Sequence, residues 1–420
     1  MALLTGVADV LSTERHPAPD PATAPPTKRA PLLVGVALAV VGAAAVAATA
    51  GLKLALLFVV GLALGLALFH SRFGFTSAWR QLVAVGQGRA LQAHMLMLAV
   101  ACLLFAPLLA AGTGFRGVEL EGSVSPIGTS LFVGAFLFGV GMQIGGSCAS
   151  GTLFAIGSGQ TAIVLTLAGF VIGSVLGAWQ LPFWTTELWT GPKVSFADTP
   201  LGYPGAVVIS LALMAAVVAA TVVVGRRRRP PALDRPPVAR GFARVIRGSW
   251  PIWVGAVVLA GLNALTLWLS GGAWGVTSAF ALWGSKALGS LGVDVASWGY
   301  WQSPGNAHKL AGPVLADRTS VMDFGIMIGA LVASAAAGAF TLHRRIPGRL
   351  AAGAVIGGIL MGYGARLAYG CNIGAYFGGI ASFSLHGWVW GAVAILGTVV
   401  GLKARPLFGL GNPKPTDSVC

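Results

Sequence analysis

The sequence predicts an all-α polytopic membrane protein of about ten crossings. It predicts two inverted repeats whose four broken, re-entrant loops meet near the bilayer midplane. Three observations carry that expectation. Apolar runs of about 20 residues, the length that spans a bilayer, recur from residue 31 to residue 404. Arg and Lys gather in alternate connecting loops. Two kinds of helix-breaking motif each occur twice, in the same order.

Composition sets the class. The 420 residues are 56% hydrophobic and only 9% charged, with 61 glycines. The formal net charge of +15 raises the question of nucleic acid, but much of the excess falls in connectors such as "GRRRRPPALDRPPVARGFARVIRG" (225–248). Basic residues in short loops are a topology signal, and no nucleic-acid partner is expected. Four cysteines, Cys102, Cys148, Cys371 and Cys420, form neither a CxxC nor a Cys/His metal spacing, so no metal or cofactor is expected.

In chain order, residues 1–30 read as a disordered tail rich in Pro and Ala, and 31–51 as an extra transmembrane helix. Residues 52–180 form the first repeat, with crossings near 53–69, 91–112, 126–144 and 160–180. A linking helix at 203–225 and a basic loop at 226–248 follow. The second repeat, 249–404, has crossings near 249–271, 321–341, 351–366 and 386–404. Residues 405–420 are a tail. With Lys28 and Arg29 in the cytoplasm, alternation places Arg72, Arg80, Arg89, the 226–247 cluster, Arg344, Arg345, Arg349, Lys403 and Arg405 on that same side. Both termini are then cytoplasmic, and "RGVELEGSVS" and "TTELWTGPKVSFADT" lie outside.

The duplication rests on scarce residues. "GVGMQIGGSCASG" (139–151) and "GYGARLAYGCNIG" (362–374) share the frame GxGxxxxxxCxxG, which aligns Cys148 with Cys371 and Gly151 with Gly374. Earlier in each half, "GFTSAW" (74–79) matches "GVTSAF" (275–280), pairing Gly74 with Gly275 and Thr76 with Thr277. The single helix at 203–225 inverts the second half. Inverted repeats with discontinuous helices are transporter and channel architecture, with the site between the halves. Non-helical backbone at membrane depth survives only inside protein or along a cavity. Half-helix N-termini there offer N–H groups to a small anion or polar solute.

The candidate pathway residues are Cys148 and Cys371 with Gly146, Ser147, Gly151, Gly370, Asn372 and Gly374, and Gly74, Thr76, Gly275 and Thr277 from the earlier breaks. Each has a plainer reading. A lone membrane cysteine usually packs as a small residue, and Ser150 and Thr152, like Ser147, recapture backbone groups near a break. Arg366, which replaces Gln143 in the frame, either serves the pathway or snorkels from a helix end. Cys102 has no twin and reads as packing.

These stretches resemble the YeeE/YedE family of sulfur-transport (DUF395-type) membrane proteins, on "YGCNIGAYFGGIASFSLHGWVWG" (369–391), "GGSCASGTLFAIGSG" (145–159) and "SRFGFTSAWR" (71–80). The resemblance runs from about 52 to 404. It implies a thiosulfate transporter of the bacterial inner membrane rather than an enzyme, with loops from both faces meeting at Cys148 and Cys371, and delivery to a TusA-like sulfur-carrier protein. Family members often have a third cysteine where this chain has Gly74. The insert at 293–318 is a second departure. Two other functions stay open: a membrane thiol-disulfide oxidoreductase using the two cysteines, and a transporter of a selenium species or another small oxyanion.

Overall fold

The computed structural model describes residues 25–230, 241–342 and 345–414. Most of the 1–30 tail, the middle of the 226–248 loop, Arg344 and the terminal Cys420 lie outside the described residues. Nine helical stretches among the described residues are long and apolar enough to span a membrane. The first counts as two, because α1 (Arg29–Ser71) reverses at Gly51, whose φ of 80° is a left-handed value that glycine adopts at little cost. The reversal shows in the contacts: Gly42 lies against the Phe58 ring, and Gly35 and Gly65 both meet the same stretch of a later helix, near residues 330–332. Ten crossings result, and the protein is a multi-pass membrane protein.

The remaining helices are α2 (Phe75–Val85), α3 (Arg89–Ala111), α4 (Thr129–Ile144), α5 (Ala149–Gly157), α6 (Ala162–Pro182), α7 (Gly202–Arg228), α8 (Ile252–Ser270), α9 (Thr277–Ser290), α10 (Arg318–Ala336), α11 (Gly348–Leu367) and α12 (Leu385–Ala404). α7 is the most apolar and least covered of the spanning stretches, with Val208 67% exposed. A helix that is apolar all round and bare on most of its surface belongs against lipid. The insert forms two short helices, Gly299–Gln302 packed on α6 and Pro304–Ala311 packed on α9.

The packing is symmetric under exchange of the halves. α1 packs on α10 as α8 packs on α3; α6 packs on α11 as α12 packs on α4; α5 packs on α10 as Gly378–Ala381 packs on α3. At the centre the counterparts α4 and α11 meet each other. There Gly134 approaches Gly364, and Gly141 approaches Gly357, so the two helices run antiparallel. A shift of 223 residues (362 less 139) carries Gly134 onto Gly357 and Gly141 onto Gly364, which makes each contact the image of the other. A Cβ on Gly134 would stand 2.6 Å from the Gly364 carbonyl oxygen, and one on Gly141 2.7 Å from that of Gly357. Apolar lipid gives helices no hydrophobic reason to associate, so close backbone packing of this kind holds them together.

The register changes by one residue after the second break. Gly173 meets Ile359 while its counterpart Gly397 meets Phe136, a shift of 224 (397 less 173) on one partner and 223 (359 less 136) on the other. The extra residue is absorbed in a π-helical turn, Asn372–Phe377, directly after Cys371; the equivalent α5 after Cys148 is plain α-helix. Single π-turns are how a helix accepts one inserted residue, and they concentrate at functional sites.

One face collects the basic ends. Arg228 donates to the Val83 carbonyl, Arg247 to the Pro25 carbonyl and Arg405 to the Gln143 carbonyl. The opposite face is knitted by backbone bonds between loops, such as Glu121 to Gly271, Ile127 to Pro192 and Leu385 to Val194.

Candidate substrate pathway

Four breaks interrupt the helices, each at residues with backbone freedom or strain. Arg72 (φ 49°) ends α1, and Gly74 opens α2. Gly146 (φ 80°) lies between α4 and α5. Gly271 (φ 86°) ends α8, ahead of Gly275 and α9. Tyr369 (φ 61°) and Gly370 (φ 148°) separate α11 from the π-turn. Tyr369 is the telling one, since a bulky residue in the left-handed region costs about 1–3 kcal/mol and persists only where its surroundings impose it.

The two cysteines hold equivalent places at the N-caps of the helices that follow the breaks. Both are buried and belong to the same apolar core. Cys371 Sγ accepts the Ile373 N–H at 3.4 Å, and Cys148 Sγ sits 3.7 Å from Ser150 Oγ. The first-turn N–H groups after each cysteine have no intrahelical partner. Asn372, also buried, has neither amide atom hydrogen-bonded. The positions where Gly146, Gly275 and Gly374 would carry side chains face open space within 4 Å, whereas Gly151 is covered by Ser147 and Cys148. Thr152 Oγ1 donates to the Cys148 carbonyl at 2.8 Å, a bond within its own helix.

The earlier breaks are tied to these by a matched pair of bonds. Gln143 Nε2 donates to the Thr76 carbonyl at 3.3 Å, and Arg366, its counterpart, donates to the Thr277 carbonyl at 3.1 Å. Arg366 also bonds the Tyr300 hydroxyl and lies 5.0 Å from that ring's centre, so the insert is clamped to the same point. Its guanidinium therefore turns inward to backbone and insert. The breaks also touch through rings: Phe75 meets Tyr376 at 6.1 Å, and Trp79 lies edge-on to Tyr376 at 5.6 Å.

Sequence reasoning passed over two residues. Asp323 on α10 is fully buried, in the helix on which α5, the helix after Cys148, packs. His94 on α3 is fully buried between Phe73 and Phe75, the neighbours of Gly74. The signal for both was an ionisable side chain inside an apolar run.

Crossings arranged as two interlocked, inverted halves around buried breaks define a multi-pass membrane protein of the repeat-built transporter class. The chain belongs to the sulphur transport family, whose sequence profile matches residues 70–400. It is 27% identical over 369 residues to the thiosulfate transporter TsuA of Spirochaeta thermophila, covering 80% of this chain and 94% of that one. It is 25% identical over 353 residues to TsuA of Escherichia coli K12, covering 81% and 91%. A shorter match, 35% over 149 residues, joins it to the probable transporter YedE of Escherichia coli K12 and spans 36% of that protein.

Proposed function

We propose that the chain imports thiosulfate, or a sulfur anion close to it, along a path through the four breaks, with Cys148 and Cys371 as successive contacts. The observation that supports this reading best is the equivalence of the two thiols: each caps a buried helix start beside open glycine backbone, and both lie in one core. A sulfur dianion entering a narrow site loses much of its hydration, and N–H groups and helix-start dipoles replace it. A thiolate there would repel it. The thiols therefore act as neutral, weak S–H donors to the substrate's sulfur or oxygen. They hand it from one break to the next without forming a bond. Gly146, Ser147, Gly151, Gly370, Asn372 and Gly374 line the step between them. Gly74 and Thr76 guard one approach, Gly275 and Thr277 the other, with Arg366 holding the second in place.

The basic face is cytoplasmic in this reading, in a bacterial inner membrane, and the 226–248 loop offers a docking surface for an acidic TusA-like sulfur carrier. The deciding experiment is growth and uptake on thiosulfate, sulfite, sulfate and selenium compounds in a strain without its own uptake systems. Uptake of labelled thiosulfate, blocked by an excess of unlabelled thiosulfate but not of sulfate, is the expected result. A substrate-dependent Cys148 to Cys371 disulfide, or a trapped persulfide, would turn the assignment to a thiol oxidoreductase. Orientation is tested with Ala243→Cys and Lys193→Cys, each exposed. An impermeant maleimide applied to intact cells should label only the second.

A further inference from the structure

α3 and α10 occupy exchanged places in the two halves, one packed on α8 and the other on α1. Each opens on an arginine, Arg89 or Arg318, and five residues later each holds an ionisable side chain within its apolar run: His94 in one, Asp323 in the other. Both are fully buried, and neither ring nitrogen of His94 nor either carboxylate oxygen of Asp323 has a hydrogen-bond partner. Packing alone would favour an apolar residue at both places, since an unpartnered ionisable group out of water is costly.

Both stand beside the breaks. The His94 ring lies 4.8 Å from that of Phe73 and 4.4 Å from that of Phe75, on either side of Gly74. One turn before Asp323, Thr319 accepts a hydrogen bond at 2.9 Å from Ser278, in the first turn after Gly275. α10 also packs on α5, the helix that starts at the Cys148 break.

The charged groups around them do not neutralise them. Around Asp323, its own helix offers Asp317 and Arg318, and Arg318 is turned to Ser270. α1 carries Lys53 and His70 only near the ends of its second arm, and the α5 break brings Cys148. In α9, Lys286 is held by the Leu310 carbonyl; α11 brings Arg366, held by Thr277 and Tyr300; the short helix Ala243–Arg247 carries Arg244 and Arg247, which are committed to backbone carbonyls. Around His94, α3 itself holds Arg89 and Cys102, α2 holds Arg80, α7 holds Tyr203 and Arg226 to Arg228 at its two ends, and neither α8 nor Gly378–Ala381 has an ionisable residue.

Resting on the sulfur-anion reading above, we propose that uptake is coupled to protons and that His94 and Asp323, one in each half, carry them. A dianion in the adjoining breaks attracts an imidazolium and repels a carboxylate. Its arrival favours the protonated form at both sites. Where an open break admits water Asp323 ionises in the empty protein, so loading takes up two protons against two negative charges; the loaded protein then moves no net charge and the inside-negative potential does not oppose import. Departure of the anion to the cytoplasm removes the electrostatic hold on the protons, which leave on the same side. Linkage makes the coupling reciprocal: protons raise affinity for the anion by the factor by which the anion raises affinity for protons.

The test uses the full chain in liposomes loaded with a pH-sensitive dye and supplied with radiolabelled thiosulfate. Thiosulfate counterflow is measured first, with no proton gradient. The wild type should then acidify the lumen when thiosulfate is added outside, and an inward proton gradient should raise accumulation several-fold. Asp323→Asn and His94→Gln copy the shape of the neutral side chains. At saturating thiosulfate both should keep counterflow, His94→Gln with weaker affinity because it cannot take up its proton, and both should lose gradient-driven accumulation, which Asp323→Glu should retain in part. Counterflow without acidification in the wild type overturns the proposal, as does full gradient-driven accumulation in both neutral variants. If either variant fails to fold, the wild-type acidification decides alone. Absence of wild-type counterflow would remove the thiosulfate reading itself, and this coupling with it.

Discussion

The two halves share a backbone and differ in the polar groups hung on it. Gln143 and Arg366 make the same bond to the same carbonyl of their respective breaks, yet only Arg366 reaches the Tyr300 side chain as well. His94 and Asp323 share a place and carry opposite charges when ionised. The helix after Cys148 is α-helical, while the turn after Cys371 is π-helical. The shared features are those that bring the halves together, chiefly glycines at backbone crossings. The differing ones surround the breaks. Symmetry thus builds the scaffold, and it is lost locally around the breaks.

The largest expected effect comes from the most symmetric feature. Cys148→Ala and Cys371→Ala should each lower uptake by about tenfold or more, the loss expected when a hydrogen bond to a charged group, worth about 1.5–3 kcal/mol, is removed. Both variants should remain folded in detergent, because a buried thiol behaves as a small apolar group in packing. Normal uptake in both would return the pair to packing.

The next comparison is Gln143→Ala against Arg366→Ala. Each removes one of the donors to a break carbonyl that its own helix also bonds, at a cost of about 0.5–1.5 kcal/mol for the neutral Gln143 and about 1.5–3 kcal/mol for the charged Arg366. Arg366→Ala should lower the midpoint of thermal unfolding more, because it also releases the insert at Tyr300. Arg366→Gln, which copies the first half, should fall between Arg366→Ala and the wild type. Equal loss in the two Ala variants would show that the insert adds nothing to the clamp.

Gly134→Ala and its image Gly357→Ala sharpen the symmetry argument. Each places a methyl group against a helix backbone across the α4 and α11 contact, which should destabilise by about 1–3 kcal/mol. The two losses should match; a large difference would mean that the central contact is not equivalent at its two ends. The smallest effect is expected from Gly74→Cys, which supplies the third cysteine that the family resemblance led one to expect there. Gly74 has φ −134°, open to any residue, and the nearest obstacle to a new side chain is the rotatable Ser77 hydroxyl at 2.9 Å. The variant should fold and keep its thiosulfate uptake within about twofold, below the 1.4 kcal/mol that marks a factor of ten. A larger change would show that the missing thiol bears on substrate choice.

Sequence alone determined the membrane class, the ten apolar segments, the duplication and the placing of Cys148 against Cys371. These follow from chain-local facts: run length, loop charge, and the scarcity of cysteine, which makes a coincidence of register informative. The end of the extra helix at residue 51, where the structure reverses, was legible in the same way. Tertiary structure alone decided what each polar group meets. Arg366 was readable as a charge that either serves the pathway or snorkels from a helix end, and its partners Thr277 and Tyr300 lie 89 and 66 residues away in the chain. The π-turn was invisible because one inserted residue changes no motif; it appears only when α6 and α12 are compared through their contacts on α11 and α4. His94 and Asp323 share no residue type, so no alignment of letters pairs them. Their equivalence comes from the exchange of packing between the halves, and burial with no partner is a property of the surrounding helices, which no local pattern records.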